Sequence, residues 1–153
     1  MSEAPHAFPK PSQLFTASLV AAALVYAVGV VLIAVGVAAT SPAGGVRDAL
    51  VFLGFAATGG MVVSGLAGVA IVAPLGTAFG TLVLRLSQPV WWQGPVTGVL
   101  VAAVLIGGSV ALLGWSGERV DAGTYAVAAV PFALAPLASA FVQRRMLHWP
   151  QPS

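Results

Sequence analysis

Apolar residues in this chain run in long blocks instead of alternating with polar ones. Four blocks stand out, at 13–39, 49–73, 95–115 and 122–143, each near the roughly 20 residues that a helix needs to cross about 30 Å of hydrocarbon. The pattern predicts an all-α integral membrane protein, a single membrane domain of four transmembrane helices with exposed tails at 1–12 and 144–153. Pro5, Pro9 and Pro11 keep the first tail extended up to Ser12, a predicted N-cap.

The second block is the unusual one. It continues without a charge to Arg85, and residues 49–86 drawn as one helix would be roughly 57 Å long, nearly twice the hydrocarbon thickness. The chain must protrude, bend or break there. Gly59-Gly60 and Pro74 are the weak points, since glycine costs about 1 kcal/mol in a helix and proline removes the hydrogen bond to the carbonyl of Ala70. Beyond Pro74 the pattern turns two-faced, with Thr77, Thr81, Arg85 and Gln88 on one side and Leu75, Phe79, Leu82 and Leu86 on the other. That predicts an amphipathic extension over 75–88, lying along the headgroups.

Other punctuation sets the remaining boundaries. The turn at 40–45 with Arg47-Asp48 separates the first two spans, and Ser87-Gln88-Pro89 stops the second. Trp91 and Trp92 then fall where indole rings favour the membrane interface. Pro131 and Pro136 predict a fourth helix that is kinked or partly unwound in its middle. A rival count folds 49–86 into a hairpin turning near Ser64-Gly65, giving five spans. It places Lys10 and Arg144-Arg145 on opposite faces and turns the chain where there is neither charge nor proline. Val37-Ala38-Ala39 resembles a signal-peptide cleavage site, but the apolar run before it exceeds the usual h-region of about 7–15 residues.

Composition sharpens this picture. The 153 residues are 59% hydrophobic and 7% charged, with a mean hydropathy of +0.99, against roughly 25% charged in a soluble domain. Six Lys/Arg against four Asp/Glu are too few for a nucleic-acid surface. They bear on orientation instead: with both termini cytoplasmic, Lys10, Arg85, Arg144 and Arg145 lie inside, and Arg47 and Arg119 lie outside among Asp48, Glu118 and Asp121. The same inner cations could hold anionic lipid headgroups. The absence of cysteine excludes disulfides, thiolate metal sites and thiol catalysis. The wealth of Ala, Gly and Val suggests a bacterial source, hence a multi-pass protein of the cytoplasmic (inner) membrane.

Candidate chemistry is sparse. None of the four spans contains Asp, Glu, Lys, Arg or His, so a coupled pump has no group to titrate. His6 and His148 sit in the tails, which leaves no axial ligand for a membrane haem. Ser64, Ser109 and Ser139 have no general base near them in sequence. The chain also lacks the membrane glutamate of small multidrug exporters and the cysteine pair of quinone-linked thiol oxidases. The expectation is a chain with no catalytic residue, no cofactor and no metal.

The positive signal is a set of small-residue stripes: Gly60-Ser64-Gly68, Gly76-Gly80 and Gly94-Gly98, with Gly107-Gly108-Ser109 a further thin place. In lipid, helices associate by close fit, so such stripes mark packing seams within the chain or toward another protein. The reading from sequence is a non-catalytic accessory or structural subunit of a larger membrane complex, in contact with lipid and with other subunits or copies of itself. The alternative is a homo-oligomeric channel or facilitator for a small neutral or apolar solute.

Overall fold

The computed structural model describes residues 9–40, 44–86, 92–116 and 122–146. They form four helices: α1 (Pro11–Thr40), α2 (Gly45–Leu86), α3 (Gln93–Ser116) and α4 (Ala122–Met146). Helices α1 and α2, and α3 over Gln93–Ala111, are long and apolar enough to cross a membrane. Many of their large apolar side chains are exposed, among them Val35, Leu50, Phe55 and Leu66, the reverse of a soluble domain.

Helix α1 starts earlier than a Ser12 cap would place it. The Lys10 backbone N–H donates to Gln13 Oε1 at 2.8 Å, and the Gln13 N–H donates back to the Lys10 carbonyl at 2.9 Å. The Gln13 side chain thus satisfies the N-cap N–H, which is the half of a capping box that the N3 residue supplies. Pro11 occupies the first helical position, where its missing N–H costs nothing. At the start of α3, Gln93 and Gly94 are likewise helical, and Pro95 falls in the first turn.

Helix α2 does not break. It is one helix of 42 residues, and at the weak points it widens into π turns, Ala56–Gly60 and Gly68–Val72. The first contains Gly59 and Gly60. The second lies just before Pro74, where a wider turn takes up both the lost N–H and the bulk of the ring. The Ser64-Gly65 hairpin is excluded, because both residues lie inside the α-helical stretch Met61–Ala67. In α4 the helix runs on through Pro131 and Pro136 without unwinding.

The end of α2 also stays in the bundle, where the sequence predicted an extension along the headgroups. Its buried face is Ala73, Gly76, Gly80, Val83 and Leu84, not the row of Leu75, Phe79, Leu82 and Leu86. Small residues win because they let the α1 backbone come close; Leu82 and Leu86 are left outside.

The partners along α1 and α2 reveal a bow. Gly80 faces Leu14, Gly76 faces Ser18, Gly60 faces Tyr26 and Gly45 faces Ala38. Between the middle two contacts there are sixteen residue steps on α2 but only eight on α1. At about 1.5 Å per step that is roughly 24 Å of α2 set against 12 Å of α1. Two straight helices cannot satisfy both contacts, so α2 arches away from α1 over Met61–Ala67 and returns to it at the second π turn, where Gly68 touches Leu19.

The bundle is tight at one end. Leu14, Ala17 and Ala21 of α1, the buried face of α2 at 73–84, Gly94 to Ala102 of α3, and Ser139 to Gln143 of α4 are packed there. Lys10, Arg85, Arg144 and Arg145 belong to this end, and Arg47 with Asp48 to the other. Toward that other end the α3 side chains at 103–111 become largely exposed.

Candidate functional site: an interhelical cleft

The glycines divide into two classes according to what a side chain would meet. A Cβ on Gly98 would lie 2.6 Å from the Ala135 carbonyl oxygen and 2.9 Å from Pro136 Cα. One on Gly94 would lie 3.0 Å from Ala140 Cα and 3.1 Å from Gln143 Oε1. Here α3 touches the α4 backbone, which cannot give way. Gly76 is pressed by Ser18 Oγ and Gly45 by the Ala38 carbonyl, whereas Gly80 and Gly68 make ordinary contacts with Leu14 and Leu19. Gly29, Gly36, Gly54, Gly65, Gly107 and Gly108 face open space. The stripes Gly76-Gly80 and Gly94-Gly98 are therefore filled from within the chain. Ser64 is half-buried and bonds back to the Met61 carbonyl at 3.2 Å.

At Gly60 the neighbour is a phenol. Tyr26 Oη reaches into the first π turn, donates to the Ala56 carbonyl at 2.6 Å, and lies 2.5 Å from the position a Gly60 Cβ would take. Sequence reading passed over Tyr26. The signal was present, a lone phenol inside an otherwise apolar span, since a buried tyrosine hydroxyl seeks a partner.

Where α2 bows away, the four helices line a half-open cleft of about 680 Å³. Its walls are mostly small and aliphatic side chains from all four helices, including Ala22, Ile33, Val72, Val101 and Val130. No Asp, Glu, Lys, Arg or His is among the described lining residues. The polar atoms available are those of Ser18, Tyr26, Ser64, Thr97, Ser109 and Ser139. Its floor is the tight end of the bundle, closed by the Gly76–Ser18 and Gly98–Ala135 contacts.

The floor is more polar than the sequence suggested. Gln93, Thr97, Ser139 and Gln143 are all buried, although Gln143 directly precedes the exposed Arg144 and Arg145. Each pair is four apart on its helix, and the two helices meet here at Gly94 and Gly98, so both pairs are brought into the bundle interior. Two of these groups, Gln93 Nε2 and Thr97 Oγ1, have no hydrogen-bond partner. A matched pair of i, i+4 polar positions at one end of two apolar spans was the signal available in the sequence.

Outside the bundle, Phe15, Pro74, Ala78 and Leu82 line a groove of about 520 Å³ that Arg85 closes at one end. Thr77 and Thr81 also line it, their hydroxyls turned back onto the Ala73 and Thr77 carbonyls at 2.7 Å. Lys10, Arg85, Arg144 and Arg145 are exposed, and the Arg145 guanidinium stands 6.0 Å from the centroid of the Phe141 ring. Trp92 is exposed beside the start of α3. Trp91, His6, His148, Glu118, Arg119 and Asp121 lie outside the described residues. Set against known proteins, the chain matches no family model, no curated protein and no solved structure.

Proposed function

We propose that this chain is a non-catalytic, multi-pass subunit of a bacterial cytoplasmic membrane that holds an apolar molecule between its helices. The observation that carries this reading is the cleft of about 680 Å³, walled mostly by apolar side chains, with no Asp, Glu, Lys, Arg or His among its described lining residues. Its size falls within the roughly 300–1,000 Å³ of small-molecule sites. A cleft without acid, base or cation favours holding over converting. The floor, shut by backbone contacts at Gly98, favours holding over conduction, because a pore would require those contacts to part.

The grouping of Lys10, Arg85, Arg144 and Arg145 supports a cytoplasmic tight end under the positive-inside bias. At that end Arg85 and its groove suit an anionic lipid headgroup with its chain alongside. The outward apolar faces of α2 at Met61, Val62, Val63 and Leu66 are available to lipid or to the other subunits of an assembly.

Native mass spectrometry from mild detergent tests the reading. An apolar adduct is expected on the protein, lost in Ala67→Phe, which fills the cleft from α2. Co-purifying subunits in fixed ratio support the accessory role. A lone symmetric oligomer that carries no adduct and speeds solute flux in liposomes overturns the reading in favour of a facilitator.

A further inference from the structure

Six hydroxyls within these helices share one habit. Thr16, Thr40, Thr58, Thr77, Thr81 and Ser109 each donate to the carbonyl four residues earlier, at 2.7–2.9 Å. This bond lets a hydroxyl sit in apolar surroundings without a cost, because it draws on a carbonyl lone pair that is otherwise idle. Thr97 departs from the habit. It is 3% exposed, its Oγ1 has no partner, and the carbonyl of Gln93, four residues earlier, goes unused by it. One turn deeper on the same face, Gln93 is 2% exposed and its Nε2 is also unpartnered. Leaving such a buried donor unmet costs about 1–3 kcal/mol, and here two stand in succession.

Thr97 lines the floor of the cleft, which Ser18 and Ser139 also line. We propose that this floor is a hydrogen-bonding seat, centred on Thr97 with the Gln93 amide behind it, for the oxygen atom at one end of an otherwise apolar, uncharged molecule. The proposal rests on the reading of the cleft as a binding site and adds the chemistry of its ligand. The partner is an acceptor oxygen, because an amide nitrogen can only donate and a threonine hydroxyl can donate as well. It is uncharged, because no lysine, arginine or histidine among the described residues lines the cleft to offset a carboxylate or phosphate in a desolvated site. A neutral long-chain carbonyl compound meets both conditions, with its chain lying along the walls that α2 leaves open by bowing outward.

The test compares two probes of equal length, 2-pentadecanone carrying a ¹³C carbonyl and pentadecane. Each is equilibrated with the full chain in detergent and counted by mass spectrometry after dialysis. The ketone should bind about five- to tenfold more tightly than the alkane, the factor expected of one neutral hydrogen bond. Its carbonyl infrared band should shift to lower frequency in the bound state. Thr97→Val should abolish both the preference and the shift while alkane binding persists, and Thr97→Ser should retain both. Equal binding of the two probes to the wild-type chain, or a preference that survives Thr97→Val, overturns the seat and leaves the cleft reading standing. Failure of both probes to bind, or binding of both that Ala67→Phe does not reduce, overturns the cleft reading itself.

Discussion

The hydroxyl of Tyr26 occupies the place where a side chain on Gly60 would begin, 2.5 Å from that point, and from there it donates to the Ala56 carbonyl at 2.6 Å. One contact thus ties α1 to the first π turn of α2 and explains why that turn carries a glycine. It also defines the upper limit of the bow, since below it the two helices meet again only at the second π turn, where Gly68 touches Leu19.

The pair should behave as a coupled unit. Gly60→Ala forces the phenol out of the turn, and Tyr26→Phe removes the hydroxyl that is in the way, leaving ring carbon Cζ at an ordinary 3.7 Å. Tyr26→Phe alone is expected to cost about 0.6–1 kcal/mol, the scale of hydrogen bonds between membrane helices. Gly60→Ala alone is expected to cost about 1–3 kcal/mol, as overpacking does. Their combination should cost less than the sum, and a double-mutant cycle of thermal unfolding in detergent measures the difference.

Gly98 and Gly107 lie in the same helix and should respond in opposite directions. Alanine at 98 meets the Ala135 carbonyl and Pro136 Cα, both backbone, so α3 and α4 must separate. A loss of about 2–3 kcal/mol is expected, with a shrunken or distorted cleft floor. Alanine at 107 meets nothing within 4 Å, and its better helix propensity should stabilise by up to about 1 kcal/mol. Denaturation midpoints of the two variants decide this.

The π turns can be tested by deletion. Removing Ala57, within Ala56–Gly60, turns a five-residue turn into an ordinary one and keeps the faces on either side in register. Removing Val62, within the α-helical stretch Met61–Ala67, rotates everything after it by about 100° and carries Gly76 and Gly80 off the α1 interface. Both residues are exposed, so lost packing at the site itself does not separate them. The Val62 deletion should be far the more disruptive; equal yields and melting temperatures for the two would show that the wide turn has no role in register.

The chain has no cysteine, which makes single introduced thiols clean reporters of side. A cysteine at Arg47 should react with an impermeant maleimide in intact cells. One at Arg85 or Arg145 should react only after the membrane is opened. Labelling in the reverse order would invert the proposed orientation while leaving the bundle as described.

Much of the fold was legible in one dimension. Long apolar blocks bounded by turn residues and charge determined four helices and their antiparallel order, because hydrocarbon tolerates only segments that satisfy their own backbone. Gly59-Gly60 and Pro74 marked where α2 would depart from a regular helix, and the glycine spacing marked faces of close approach. Only the tertiary structure decided what those departures became. The π turns depend on where α1 touches α2, and the residue counts between Gly60 and Gly76 and between Tyr26 and Ser18 create the bow only once those contacts exist. The partners of Gly60 and Gly98, the burial of Gln93, Thr97 and Gln143, and the cleft between the helices all follow from how far apart the backbones come to rest. That distance belongs to pairs of helices, and no single stretch of sequence carries it.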